Sequence, residues 1–156
     1  MAIVDVQTDI EINRRRESVA RYAANPDNAP DWYVNIESAE WKTPRPPVVG
    51  SQITFVANFL GRRLEYTYEI VEHIPGERLV MRTAHGPFLM ETTYTWEMIS
   101  DSGTRMTLRN RGTPTGFSAL LTPFLSFMMR RANRKDLHLI KKILENERPE
   151  STSGLK

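Results

Sequence analysis

The sequence predicts an α+β fold in which a curved sheet of seven antiparallel strands wraps around one long C-terminal helix, with two short helices between the first two strands. Three observations predict it. Apolar residues alternate with polar ones in segment after segment from Val4 to Asn110, the period of half-buried strands. Gly, Pro, Asn and Asp separate those segments at short intervals, which favours antiparallel neighbours. Only one long stretch, from Thr122 to about Glu147, has helical periodicity, and a twisted sheet with one apolar face needs a cover of that length.

The first strand is the clearest element. Val4, Val6, Thr8, Ile10 and Ile12 share one parity, and Asp5, Gln7, Asp9 and Glu11 the other. From Arg14 to Ala24 the apolar positions Val19, Tyr22 and Ala23 fall at helical spacing, until Asn25-Pro26-Asp27-Asn28-Ala29-Pro30 supplies stop signals. Asp31 to Val34 adds a helical turn, which Trp32 either anchors or uses to stand at an entrance. Ile36 to Thr43 forms the second strand, leading to the stiff Pro44-Arg45-Pro46-Pro47 and a turn at Gly50. Ile53, Phe55, Ala57 and Phe59 share a face of the third strand. Gly61 turns the chain into the fourth, where Leu64, Tyr66, Tyr68 and Ile70 share a face, and the two make a hairpin.

Pro75-Gly76 opens the fifth strand at about Arg78, with Leu79, Met81, Thr83 and His85 inward, and Gly86-Pro87 closes it. The sixth runs from Phe88 to Met98, with Met90, Thr92, Tyr94, Trp96 and Met98 inward and Glu91, Thr93, Thr95 and Glu97 outward. After the turn Ser100 to Gly103, the seventh places Met106, Leu108 and Asn110 inside and Arg105, Thr107, Arg109 and Arg111 outside, then meets the breakers from Gly112 to Gly116. Pro123 suits the first turn of the final helix, with Thr122 as its cap, and the helix is roughly 35 Å long at 1.5 Å per residue. Its second half carries Leu137, Ile140, Ile143 and Leu144 on one packing stripe. Residues 1–147 thus form one domain, and Arg148 to Lys156 a polar tail.

Composition narrows the function. A chain of 156 residues with 40% apolar content buries a core without staples. Its 21 Lys and Arg against 19 Asp and Glu leave a net charge of +2, so no nucleic-acid partner is expected. The absence of cysteine excludes disulfides and thiolate chemistry. The N-terminus has neither a basic nor a continuous apolar region of a signal peptide, and no 18 apolar residues run together, so the expected location is cytoplasmic. His73, His85 and His138 are scattered, Ser118 has no nucleophile elbow around it, and the Gly112–Gly116 loop lacks a phosphate-loop lysine. No metal or other cofactor is expected.

The order of elements resembles the helix-grip fold of the START and birch-pollen-allergen superfamily (SRPBCC), most closely its bacterial polyketide cyclase/dehydrase-like branch. The stretches that carry the likeness are "NPDNAPDW", "VVGSQITF", "GRRLEYTYEI" followed by "PGERL", the "GPF" turn, "DSGTRMTL" and "DLHLIKKILE", spanning about residue 3 to 147. The resemblance implies a cavity between sheet and helix for a small hydrophobic or amphipathic molecule, such as a lipid, polyketide or aromatic metabolite. Ligand binding is the leading reading; the competing one is an enzyme of the cyclase, aromatase or dehydrase type acting on a poly-carbonyl substrate in the same cavity, and a protein-interaction module without ligand, for which no motif speaks, is a third.

Within that frame the inward aromatics Phe55, Phe59, Tyr66, Tyr68, Tyr94 and Trp96 are candidate ligand-binding residues, with plain core packing as the alternative for any one of them. Asn110 either faces a wet cavity or bonds a nearby turn, and His85 either orients a ligand or is a loop histidine. The helix from Leu120 to Met129 has apolar groups on too many sides for one stripe, which assigns Phe124 and Met128 to the cavity wall and mouth. The cations Arg130, Arg131, Arg134, Lys135, Lys141 and Lys142 form either a solvated face or a transient membrane contact. No acidic residue falls on an inward strand parity, which counts against catalysis.

Overall fold

The computed structural model describes residues 3–59, 61–85, 89–113 and 121–146, apart from the side chain of Phe59. Among them are β1 (Val4–Ile12), β2 (Ile36–Trp41), β3 (Gln52–Phe59), β4 (Arg62–Ile74), β5 (Arg78–His85), β6 (Leu89–Ser100) and β7 (Gly103–Thr113). They form one antiparallel sheet in the order β1-β7-β6-β5-β4-β3-β2. Strands β2 to β7 follow one another as a meander, and β1 closes the far edge by pairing with β7 from Val4 opposite Gly112 to Ile12 opposite Thr104. The chain crosses between the sheet edges through α1 (Arg16–Ala23), a 3-10 turn (Pro26–Asn28) and α2 (Ala29–Trp32), and it ends in α3 (Thr122–Glu145).

The first helix ends at Ala23, just before the Asn25–Pro30 stretch, as expected, and the two prolines there also begin the next elements. Pro26 and Pro30 occupy first-turn positions, where a missing N–H costs nothing. Asn25 caps the 3-10 turn by accepting the Asp27 N–H at 3.0 Å. Helix α3 begins after Leu121 without a side-chain cap, so Thr122 does not fill that role. Strand β7 runs through Gly112 rather than breaking there. A Cβ at that position would lie 2.2 Å from the Leu89 carbonyl oxygen, so glycine is what lets β6 and β7 stay paired. The Gly86-Pro87 turn, Phe88, the segment 114–120, Glu147 and the tail lie outside the described residues.

The core is built where three layers meet. Trp32 from α2, Val19 and Ala23 from α1, and Leu137, Ile140 and Leu144 from α3 pack on Ile12, Ile53, Ile70, Leu79, Trp96, Met106 and Leu108 of the sheet. A smaller cluster joins Leu125 of α3 to Val4 and Val6 of β1. Trp32 is fully buried, so it anchors the α2 turn and does not stand at an entrance. Met98 keeps the inward parity but is 60% exposed near the end of β6. No helix among the described residues is long and apolar enough to cross a membrane.

Ile140 is fully buried and holds α3 to the sheet. Truncation of such a side chain loses both transfer energy and packing. Ile140→Ala is expected to lower unfolding free energy by about 2–5 kcal/mol in urea titrations, and Ile143→Ala, which is only half-buried, by clearly less.

Candidate functional site

Strand pairing decides which side chains meet beneath the sheet. Phe55 stands opposite Tyr66, Ile53 opposite Tyr68, and Thr92 opposite Asn110, and paired residues share a face. Phe55, Tyr66, Tyr68, Thr92 and Asn110 border a cavity of about 170 Å³ between the sheet and α3. From the sheet come Phe55, Tyr66, Tyr68, Met81, Tyr94 and Asn110. Helix α3 contributes Met129, Ala132, Asn133 and Asp136, and the chain leaving α2 contributes Tyr33, Asn35 and Ile36. The aromatic wall is built edge to face: the Phe55 and Tyr68 rings are 5.9 Å apart at 68°.

Of the residues singled out from sequence, Phe55, Tyr66, Tyr68, Tyr94 and Asn110 line this cavity. Asn110 keeps its strand parity and accepts a hydrogen bond from the Thr92 hydroxyl at 2.7 Å, so it does not bond a turn. Trp96 does not reach the cavity. It is 2% exposed, packed in the core with its ring edge-on to Tyr94. His85 is exposed, and a bulge explains why: Thr83 pairs with Tyr68 but His85 pairs with Thr67, so Ala84 is extra and the parity flips outward. Phe124 is 52% exposed on the far side of α3. Met128 is half-buried but one position out of phase; its neighbour Met129 faces the cavity. The side chain of Phe59 lies outside the described residues.

Three polar residues of the site were not anticipated. Asp136 is 3% exposed, and its Oδ1 accepts the Val34 backbone N–H at 2.8 Å. Asn133, one turn earlier, is 4% exposed, and its buried Nδ2 has no hydrogen-bond partner among the described residues. Tyr33 meets Tyr94 hydroxyl to hydroxyl in a short hydrogen bond. The signal for the helical pair was available: Asp136 lies four residues before Ile140 and seven after Met129, on the inward phase of α3. An acid does therefore reach the interior, from the helix and not from a strand.

Burial pushes the Asp136 carboxyl up to about 7, partly opposed by the Val34 N–H. Burial raises the Tyr33 and Tyr94 hydroxyls well beyond the ordinary tyrosine range, and the nearby Asp136 charge adds to both. Burial also raises Tyr68, against the Thr92 and Thr83 side chains, which favour its ionised form. Both tyrosines of the pair therefore stay protonated near neutrality. One hydroxyl proton is spent on the partner and one remains to be donated. The cavity thus presents an unpaired amide donor, a hydroxyl donor and a carboxyl that gains or loses its proton near neutral pH. Among the described residues no group of three His, Asp or Glu is placed to hold a metal ion.

A family model described as "Polyketide cyclase / dehydrase and lipid transport" matches residues 4–145. No curated protein matches the chain in sequence. Among solved structures, a protein from Thermus thermophilus superposes with a TM-score of 0.78 at 19% identity, over 92% of this chain and 99% of that one. The Zhui aromatase/cyclase from a Streptomyces species gives 0.78 at 12% identity, over 92% and 94% of the two chains. A START superfamily protein from Mycobacterium smegmatis gives 0.69 at 10% identity, over 89% and 98%. At such identities these likenesses establish a shared helix-grip fold.

The Asp136 carboxyl keeps its proton to higher pH when folded than in the unfolded chain, where aspartate titrates near 3.8. Below that value both states are protonated and the group costs nothing. Between it and about 7 the unfolded state alone releases the proton, so stability falls as pH rises and levels off above about 7. The full loss is on the order of 4 kcal/mol. Asp136→Asn keeps the acceptor for Val34 and removes the titration. Its stability gain over the natural chain, measured by denaturant unfolding across pH 4 to 8, is expected to grow through that window and then plateau. A gain independent of pH would contradict it.

Proposed function

The chain belongs to the polyketide cyclase/dehydrase and lipid transport family, and from that premise we propose that it binds a small, apolar, carbonyl-bearing molecule in the cavity between the sheet and α3. The observation that carries this reading is the buried Asn133 Nδ2, without a hydrogen-bond partner among the described residues, in a wall where aromatic rings and thioethers surround a few polar groups. A buried amide donor without a partner costs about 1–3 kcal/mol, which a ligand carbonyl would return. The volume supports a modest ligand. At about 170 Å³ the cavity is close to the size of an apolar cavity of about 150 Å³ that holds benzene. A single aromatic ring or a short acyl chain fits within it, and the rest of a longer lipid or polyketide would extend outward past Tyr66, which is only half-buried. Apolar contact supplies most of the affinity, at about 25 cal/mol per Å² before ordering costs.

A second reading, cyclase or dehydrase catalysis, is favoured by one feature: Asp136 titrates near neutrality inside the same cavity. Its ionised form can take a proton from the carbon next to a carbonyl, and its protonated form can give one to a departing hydroxyl. The Tyr33–Tyr94 pair would hold the carbonyl oxygen as negative charge develops there.

The two readings separate experimentally. Native mass spectrometry of gently isolated protein is expected to show a bound small molecule, and calorimetry with single-ring aromatic ketones to show binding. Asn133→Leu should weaken that binding about tenfold, the lower part of the cost of an orphaned amide. Asp136→Asn should leave binding nearly intact and, if the protein is a cyclase, abolish turnover. If nothing copurifies, no ketone binds and Asn133→Leu changes nothing, the ligand reading fails, and the catalytic one with it.

A further inference from the structure

The outward side of α3 sets exposed apolar side chains beside a row of cations. Phe124 and Phe127 are 52% and 60% exposed, and Leu121, just ahead of the helix, is 45% exposed. At 3.6 residues per turn the two phenylalanines share a stripe with Arg131, Arg134, His138 and Lys142, on the side away from Asp136 and Ile140. Phe127, Arg131, Arg134, His138 and Lys142 of this stripe border one groove with Val34, itself 54% exposed. A basic helix face is ordinary, but two bulky aromatics at its head are not what a solvated face needs.

Charge pairing separates this face from the rest. On the sheet, Arg82 pairs with Glu91, Arg105 with Glu11 and Arg109 with Asp5. On the helix, Arg131, Arg134, Lys135 and Lys142 form no ion pair among the described residues, and the run from Thr122 to Lys135 contains no acid. The sheet neutralises itself, while the helix presents uncompensated positive charge beside exposed apolar groups.

We propose that this face docks the protein on an anionic lipid bilayer. Headgroup phosphates would meet Arg131, Arg134, Lys135 and Lys142, while Leu121, Phe124 and Phe127 enter the acyl boundary, as an interfacial amphipathic helix does. A bilayer supplies anionic groups and an apolar phase side by side, which is the pairing this stripe displays. A second copy of the chain would set the same cations against each other. A nucleic acid would satisfy the cations but offers Leu121 and Val34 no apolar phase. The stripe from Phe124 to Lys142 is about 27 Å long, so the helix lies flat in the interface. Tyr33 and Asn35 line the cavity while Val34 between them lines the basic groove, which puts the cavity rim at the membrane. Docking holds whatever the cavity carries.

Co-sedimentation with vesicles tests this. The protein is expected to bind phosphatidylcholine vesicles containing phosphatidylglycerol, not phosphatidylcholine alone, and to dissociate progressively as salt is raised. Arg131→Glu with Arg134→Glu should cut partitioning at least about tenfold, since each cation near the surface contributes severalfold. Phe124→Ser with Phe127→Ser should weaken binding to the anionic vesicles severalfold at each salt concentration while leaving its dependence on salt unchanged. Arg82→Glu on the outer sheet face should change nothing. All these side chains are at the surface, so the variants retain the fold. Equal affinity for the two vesicle types, or none for either, overturns the proposal. So does tighter binding to a DNA duplex that is untouched by the phenylalanine changes, which would make the face a nucleic-acid surface.

Discussion

One helix has to cover the inward face of a seven-stranded sheet, and it cannot fill the space along its whole length. The second half of α3 succeeds because α1 and α2 sit beside it: Leu137, Ile140 and Leu144 close a continuous core with Val19, Ala23 and Trp32. Toward its first half that support ends, and only Leu125 finds a small apolar partner set in Val4 and Val6. The space between the two clusters is the cavity, bordered by Phe55, Met81 and Tyr94 of one and Met129 of the other. The site is therefore a consequence of helix count and placement rather than of any single residue. Filling it would need another helix or larger side chains than Ala57 and Ala132.

Into that space the chain puts a carboxyl, which is costly. Desolvation disfavours the charged form by several kcal/mol, and among the described residues no cation approaches to repay it. What Asp136 does gain is the Val34 N–H, the first backbone donor after the Tyr33 cap of α2. One carboxyl oxygen thus ties the α2–β2 junction to α3, and only Oδ1 is engaged in a hydrogen bond among the described residues. The arrangement couples fold to chemistry: the hydrogen bond that fixes the carboxyl also brings Tyr33, one residue earlier, against Tyr94. The same burial that raises the Asp136 pKa keeps both hydroxyls protonated, so donor and acceptor roles follow from dielectric environment rather than from ion pairing.

Much of this was legible in the sequence, because strand parity is a strong constraint when one face is buried. Alternation placed Phe55, Tyr66, Tyr68, Tyr94 and Asn110 on one surface, and all of them line the cavity. Alternation failed where its assumption of regular pairing fails. The extra residue Ala84 moves His85 to the outer face, and no composition rule signals a bulge inside "VMRTAH". Depth was harder to read than direction: Trp96 has the right parity but stands where the helical layer packs solid. On α3 the omission was one of residue type. Asp136 and Asn133 are polar and sit among arginines and lysines, so a search for apolar stripes passes over them, although their phase with Met129 and Ile140 turns them inward. Periodicity carried the correct information there, and hydrophobicity concealed it.

The attachment of α3 is as uneven as its packing. Its C-terminal turns are tied to the β1–α1 junction by polar bonds: Asn13 N–H to the Glu145 carboxylate at 2.7 Å, Arg14 to the Glu145 carbonyl at 2.8 Å, and Lys141 to the Glu11 carbonyl at 2.6 Å. Lys141 also pairs with Glu145 at 2.7 Å, one turn along. Toward the N-terminus the corresponding bond to β1 among the described residues is a single long one, Arg130 to the Gln7 carbonyl at 3.3 Å. Local opening draws on the region with the fewest buried contacts and polar ties, so the first turns of α3 separate from β1 at lower cost than the rest of the helix. Those are the turns that carry Met129 on the cavity side and Phe124 and Phe127 on the other.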